Sequence, residues 1–354
     1  MRGCALLNIL AFLFVAAVGA TNGGEARAQE ALRIVPTNLG ELSYAPVFLA
    51  IEAGFFRQEG LDPQIIAAGG GSNAAAILLA NEAELGMFTT NQVFRLASRG
   101  QSLPILAPNT VSGTVSLIVA QETLSARGVK ADERLDAKMQ KLKGIRVGIS
   151  APGSISDAVA RFSFRQAGLN PDQDVQIVPL GSITNAVVAF KQKRVDGVIA
   201  NYPAITQALA AGGVILIDSS KDVDAFRGIV GTGLVANPRW LDAKPDKVRA
   251  AMRAYVKAQH MLATEPKRSF DMIYDKWFAK FVERADYDKS WAATLKTFAT
   301  VDTDLLTREL IDKTAKAAEI YDNTSYKYDF NMVARPQFIA EAVAAFHASL
   351  PRKK

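Results

Sequence analysis

The stretch Leu32–Asn73, LRIVPTNLGELSYAPVFLAIEAGFFRQEGLDPQIIAAGGGSN, decides the fold. Leu32–Val35 is a short apolar strand candidate that runs into a polar loop, Thr37–Ser43. An apolar helix follows, with Pro46 in the first turn, where a missing N–H is tolerated. Gly60 is placed to end that helix in a left-handed cap. Leu61–Ala67 is a second strand candidate, and it ends in three glycines, Gly69, Gly70 and Gly71, followed by Ser72 and Asn73. Strand, helix, strand in about 35 residues is a parallel crossover unit. Both of its loops open on one edge of the sheet, where α/β proteins hold ligands.

The chain around this unit has 354 residues, enough for one large or two ordinary domains. Its apolar fraction of 49% and charged fraction of 21% are those of a soluble globular protein with ample core. The net charge is +6, but acidic and basic residues are interspersed. No basic block stands ready to track phosphates, so nucleic acid is not an expected partner. At the amino terminus Arg2 precedes an apolar run, Ala5–Ala20, and a small-residue, polar tail to Ala28. This has the form of a cleaved secretory signal peptide over residues 1–28. The cut falls after Ala26-Arg27-Ala28, or alternatively after Ala20. The run of about 16 residues is short of the roughly 20 that span a bilayer. The single cysteine, Cys4, lies inside the signal. The mature chain then has no disulfide, thiolate nucleophile or cysteine metal site. The two histidines, His260 and His347, fall in predicted helices far from the loop motifs. Neither a metal nor a cofactor is expected.

The βα rhythm continues downstream. Ser72 or Asn73 is placed to cap a helix reaching Ala83, and Glu84–Phe88 forms a strand ending in Thr89, Thr90 and Asn91. A helix over Gln92–Ser98 and a strand over Leu103–Ala107 come next. The polar bend Thr110–Thr114 and the strand Val115–Ala120 read as a first crossing between lobes. Gln121–Lys141 is charged and reads as a loop with a short surface helix. Strands at Ile145–Ile149, Val175–Val178, Val198–Ala200 and Val214–Asp218 then alternate with helices. One helix carries Ile155, Val159 and Phe162 at i, i+4, i+7, which buries one face. Ile229–Ala236 is an extended apolar run that could be the return crossing, and from Pro238 the pattern is helical. Thr303 is placed to cap a helix carrying Leu306 and Leu310. Trp240, Trp277 and Trp291 all fall in this half, as packing for helices around the first lobe. The expected division is lobe 1 over 29–120, lobe 2 over 121–228, and a return to lobe 1 over 229–354. Twin crossing strands make a hinge, and closure over a ligand is the expected motion.

Several loops carry the means to hold a small molecule. In Gly69–Asn73 the glycines let backbone N–H groups approach a ligand, and the helix that follows presents its positive end. The Walker lysine and the dinucleotide glycine spacing are missing, which disfavours a nucleotide. A plain tight turn is the structural alternative. Pro152–Ser156 repeats the logic in the second lobe: Gly153 frees the backbone, and Ser154 and Ser156 offer hydroxyls, of which only one can be the helix cap. Thr90 and Asn91 are uncharged hydrogen-bonders at the same sheet edge. Tyr44 and Tyr202 each precede a helix and could stack on a ligand from opposite walls, or sit at the core's edge. Asn38 and Thr114 complete the candidate ligand contacts, with Gly70, Ser72 and Asn73. Asp196 reads as structural, holding loop amides. Glu41 could meet a cationic group, but a solvated carboxylate is the favoured reading. No acid/base carboxylate pair, activated serine or metal cluster can be assembled, so no enzyme is expected.

The segments YAPVFLAIEAGFFRQEGLDPQI (Tyr44–Ile65) and GGGSNAAAILLANEAELGM (Gly69–Met87) resemble the periplasmic solute-binding proteins of ABC importers in the sulfonate, nitrate and thiamine-precursor group, the NMT1/THI5-like family. The resemblance runs from about Leu32 to about Trp240. It implies a two-lobed α/β periplasmic-binding-protein fold of type II, each lobe a mixed, mostly parallel sheet flanked by helices. It implies a ligand-facing loop at Pro152–Ser156, an aromatic near the first loop at Tyr44, and a further aromatic, proline-containing segment at Asn201-Tyr202-Pro203. It also implies the partners: a small, anionic organic solute such as a sulfonate, taurine-like compound or aromatic carboxylate, and a membrane permease with its ATPase. A periplasmic monomer is expected. Two other readings stand beside this one. One is an enzyme on the same fold acting on a pyrimidine or a chorismate-derived acid. Such enzymes rely on His and Cys residues that this chain lacks at the loops. The other is a sensory module that docks on a membrane receptor.

Overall fold

The computed structural model describes residues 29–113, 115–301 and 306–351. The expected signal segment, Thr114 and Thr303 lie outside the described residues. The first lobe is laid down by β1 (Glu30–Pro36), α1 (Ala45–Glu52), α2 (Phe55–Gln58), β2 (Leu61–Ile65), α3 (Gly71–Leu79), β3 (Leu85–Thr89), α4 (Thr90–Ala97) and β4 (Ile105–Ser112). The second comprises β5 (Ser116–Ala120), α5 (Gln121–Ala126), α6 (Leu135–Lys141), β6 (Arg146–Ile149), α7 (Ile155–Gln166), β7 (Gln176–Pro179), α8 (Ile183–Lys191), β8 (Gly197–Ala200), α9 (Ala204–Ala210), β9 (Gly213–Asp218) and α10 (Ser219–Asp222). The chain returns through β10 (Arg227–Ala236). It ends in α11 (Pro238–Ala243), α12 (Pro245–Thr264), α13 (Pro266–Ile273), α14 (Arg284–Thr294), α15 (Arg308–Asp322), α16 (Phe330–Val333) and α17 (Pro336–Ser349).

Each lobe has a five-stranded sheet, ordered β2-β1-β3-β10-β4 and β7-β6-β8-β5-β9. β1 pairs in parallel with β2 and β3, while β10 runs against β3 and β4. The second sheet repeats this, with β6 parallel to β7 and β8, and β5 against β8 and β9. Parallel neighbours need crossovers, which the intervening helices supply, so strand ends carrying loops collect on one edge of each sheet.

Local sequence explains the elements near that edge. Leu32, Ile34 and Val35 of β1 are fully buried, as a strand covered by helices must be. Ala45–Ile51 of α1 are all buried, because α12 and α13 cover it and Trp277 stacks on Phe48 at 4.4 Å. A helix apolar on every side belongs inside. The pattern suggested one helix up to Gly60. Instead Gly54, at φ +71°, stops α1 and makes α2 a separate turn. A non-glycine residue there would strain the backbone by roughly 1–2 kcal/mol. α3 also differs from expectation: its N-cap is Gly70 and no side chain caps it, so neither Ser72 nor Asn73 does so.

The first change of sheet falls within the expected crossing over residues 110–120, whereas the return precedes the expected run Ile229–Ala236. β5 already belongs to the second sheet, so the chain changes sheets between Ser112 and Ser116, not at residue 120. The return occurs through α10 and a short 3-10 turn at Asp224–Phe226, because β10 is bonded along its length to β3 and β4. The two crossings are stitched together: Gly113 N–H donates to Phe226 O at 3.1 Å, and Val115 N–H to Ser219 Oγ at 3.2 Å. Gly231 permits the close approach of β10 to β4, since a Cβ there would stand 2.1 Å from Ser112 O.

The C-terminal helices pack on the first lobe, and Trp240, Trp277 and Trp291 join its core as expected. α15 also reaches the second lobe. Tyr321 stacks on Phe226 at 3.7 Å and meets Phe162 edge-on. The cap of α15 is Thr307, whose Oγ1 accepts from Leu310 N–H at 3.2 Å.

Candidate functional site

A groove with about 900 Å³ of free space, counted out to its open mouth, runs between the lobes. Its walls are the loops that follow β1 (Thr37, Asn38, Glu41), β2 (Gly69–Asn73) and β3 (Thr89, Gln92) in one lobe. The other lobe contributes the loops after β6 (Ser150–Ser156), β7 (Gly181–Ile183) and β8 (Asn201). Six parallel-strand ends, three per lobe, thus converge on one space.

Three helices, α3, α7 and α8, begin at this groove, and their first-turn N–H groups carry partial positive charge. Ser154 caps α7 by accepting from Asp157 N–H at 3.3 Å, and Ser182 caps α8 by accepting from Asn185 N–H at 3.1 Å. α3 has no side-chain cap. Ser72 and Asn73 are exposed on the groove wall, and Asn73 Nδ2 donates to Ala68 O at 3.1 Å. Ser156 is buried and works as a hub: it accepts from Ser150 N–H at 2.9 Å and lies 2.8 Å from Ser154 Oγ. Its hydroxyl shapes the loop that Ser154 presents. Gly153 lines the groove, but its N–H donates to Asp157 Oδ2 at 2.7 Å and its carbonyl accepts from Arg95.

Four of the sequence candidates stand outside the groove. Tyr44 is fully buried, with its hydroxyl bonded to Thr37 Oγ1 at 2.6 Å, so its ring faces core and not ligand space. Tyr202 is half-buried against the cores of both lobes, and its carbonyl accepts from Leu42 N–H at 3.3 Å; its neighbour Asn201 lines the groove instead. Thr90 Oγ1 donates to Val230 O at 2.6 Å, which pins α4 to β10. Asn91 is 2% exposed and accepts from Thr89 Oγ1 at 2.8 Å, while its Nδ2 has no hydrogen-bond partner. Thr90 and Asn91 border a smaller cavity behind the groove that shares Thr89, Val115 and Ile155 with it.

Glu41 departs from the solvated reading. It is only 9% exposed, lines the groove, and accepts from Ser43 Oγ at 3.3 Å. Burial pushes its pKa up to about 7, against the opposing pull of hydrogen bonds from Asn38, Ser43, Tyr44 and Asn201. Among the described lining residues there is no lysine or arginine, and Glu41 is the one ionisable side chain. Asp196 is structural: its carboxylate accepts from Arg146 N–H at 2.8 Å and from the Arg146 guanidinium. Thr37, Thr89, Gln92, Ser150, Ser182 and Asn201 were not among the candidate ligand contacts, although the sequence reading placed Thr89 at the sheet edge and Asn201 in the segment that the resemblance marks. The available signal was position, since each stands within a few residues of the end of a parallel strand. His260 packs on Phe346 in the helical tail, at 4.7 Å. No helix among the described residues is long and apolar enough to cross a membrane.

Two α/β lobes, a double crossing and a groove lined by strand-end loops define the two-lobed, type II fold of periplasmic binding proteins. A profile of the NMT1/THI5-like family matches residues 41–269, and this chain belongs to that family. The nitrate import ATP-binding protein NrtC of Synechococcus elongatus is 30% identical over 168 residues, 46% of this chain and 24% of that protein. The chain thus spans between 24% and 41% of the length of the curated relatives it matches. A solved protein of Bordetella bronchiseptica RB50 superposes with a TM-score of 0.74 at 21% identity, covering 90% of this chain and 99% of that one. The alkanesulfonate-binding protein SsuA of Xanthomonas axonopodis pv. citri, bound to MOPS, superposes with a TM-score of 0.64 at 16% identity, covering 90% and 99%.

Proposed function

We propose that this protein is the periplasmic solute-binding component of an ABC importer. It captures a small organic solute bearing an acidic group, closes its lobes over it, and passes it unchanged to a membrane permease driven by an ATPase. The observation that carries this reading is the convergence of six strand-end loops, with three helix amino ends, on one groove between hinged lobes. Each such end favours an anion by about 0.3–1 kcal/mol, up to ~2 when partly buried. The nitrate and alkanesulfonate named for its relatives support an acidic solute. A sulfonate, a taurine-like compound or an aromatic carboxylate suits the space, and the carrier acts as a monomer.

Mass spectrometry of co-purifying small molecules, followed by a thermal-shift screen of sulfonates, nitrate, aromatic acids and pyrimidines, tests the reading. A true ligand at 100 times its Kd adds about 2.7 kcal/mol of stability. Asn38→Ala or Asn201→Ala should weaken the best hit by about tenfold, the worth of one lost hydrogen bond. Chemical conversion of the ligand, or affinity untouched by both substitutions, would sink it.

A further inference from the structure

Among the described residues, the groove is lined by one buried carboxyl and by no lysine or arginine. We propose that the solute carries a protonated amine, or a comparable cationic centre, which Glu41 receives, while its acidic group lies at the amino ends of α3 and α7. The inference rests on the carrier reading and narrows its substrate class to amphoteric compounds.

Three observations lead there. Glu41 is 9% exposed and lines the groove. A carboxyl withdrawn from water and given only neutral partners is costly, and such groups persist where a partner of opposite charge arrives. Second, Glu41 marks one end of the groove. It is shared with a small recess that also includes Asn38, Ile183 and Asn201 but none of the α3 residues. The anion-favouring α3 amides and the carboxyl therefore serve different parts of a bound molecule. Third, wherever Glu41 is ionised, a purely anionic solute would meet it as a like charge, with no lysine or arginine among the described lining residues to offset it.

The groups around Glu41 are Asn38, Ser43, Tyr44 and Asn201, all neutral at ordinary pH, together with the α8 amino end that Ser182 caps at the shared recess. None of these side chains carries a positive charge that would satisfy it. An incoming ammonium group would hold Glu41 as the carboxylate. Below neutral pH, where burial keeps the free carboxyl protonated, binding then releases a proton.

Isothermal titration with matched pairs tests this: 2-aminoethanesulfonate against ethanesulfonate, and 3-aminopropanoate against propanoate. The amine-bearing member should bind roughly 10–100-fold tighter, as a charge-assisted contact implies. Its affinity should rise with pH from about 5.5 to 7.5, approaching tenfold per unit at the acid end. In Glu41→Gln, which keeps the shape and removes the charge, that slope should flatten and the preference for the amine should fall away. Equal binding within each pair overturns the inference and leaves the carrier reading intact. Affinity that falls as pH rises also overturns it, because a neutral Glu41 would then be donating to an acceptor. If no solute of either kind binds, the inference is overturned, and the wider thermal-shift screen decides the carrier reading separately.

Discussion

Glu41 carries a consequence for the ligand-free protein. Its ordinary pKa is near 4.5, and burial raises it to about 7 in the folded chain. Between those values the folded state holds a proton that the unfolded state has released. Stability is therefore full below about pH 4.5 and declines as pH rises through about 7. The difference amounts to something on the order of 3 kcal/mol by pH 8. The melting temperature of the ligand-free protein should fall across that range, and Glu41→Gln should remove most of the fall. Superimposable pH profiles for the two proteins would show that the carboxyl is not a buried titrant. At this scale the sequence was only partly legible. A tyrosine ahead of an apolar helix reads equally well as ligand platform or core edge, and Tyr44 is core. A carboxylate in the polar run Thr37–Ser43 reads as solvated, yet Glu41 is covered because the second lobe's Asn201 and Ile183 close over the same recess. Neither outcome is a property of the local residues.

At the scale of elements, both lobes use the same fastening. Glu84, just before β3, accepts from Arg33 N–H of β1 at 2.6 Å and from its guanidinium. Asp196, just before β8, accepts from Arg146 N–H of β6 at 2.8 Å and from its guanidinium. Each acid locks the start of the third parallel strand to the start of the first, which sets the register of the loops that face the groove. Glu84→Ala or Asp196→Ala should cost about 1–2 kcal/mol, the lower part of the range for charged hydrogen bonds because the arginines are half exposed. Urea unfolding would show this as a lowered midpoint with unchanged slope; an unchanged midpoint would rule the fastening out. Asp196 could be singled out from sequence by its place before a strand. Glu84 has the same place, but its partner lies 51 residues upstream, so the pairing waits on the sheet. The helix starts show a similar split. Ser154 was a candidate cap and does cap α7, whereas α3 starts one residue ahead of Ser72 and goes uncapped.

At the scale of the molecule, the lobes are fastened beside the groove as well as through the two crossings. Arg95 of α4 pairs with Asp322 of α15 at 2.9 Å and donates to the Gly153 carbonyl in the second lobe's groove-lining loop. Arg165 of α7 donates to Tyr321 O at 2.8 Å, and on another face Thr206 and Ser290 bond at 2.7 Å. Closure must make or keep such contacts, and any contact present only in the closed form shifts the balance toward it. Arg95→Ala should therefore raise the radius of gyration of the ligand-free protein in solution scattering. It should also weaken solute binding several-fold through a faster off-rate. Identical scattering curves and off-rates would mean that the latch is made equally in both forms.

The order of strands and helices, the double crossing and the general place of the groove were written in the chain. Hydrophobic periodicity and glycine punctuation are local signals, and parallel strands oblige their loops to gather at one edge. Which side chains of those loops meet the ligand space was decided by tertiary packing. The groove forms between loops more than a hundred residues apart, such as those of Asn38 and Asn201. Burial, which turns Tyr44 into first-lobe core and makes Glu41 the one ionisable side chain among the described lining residues, exists only once the chain has folded.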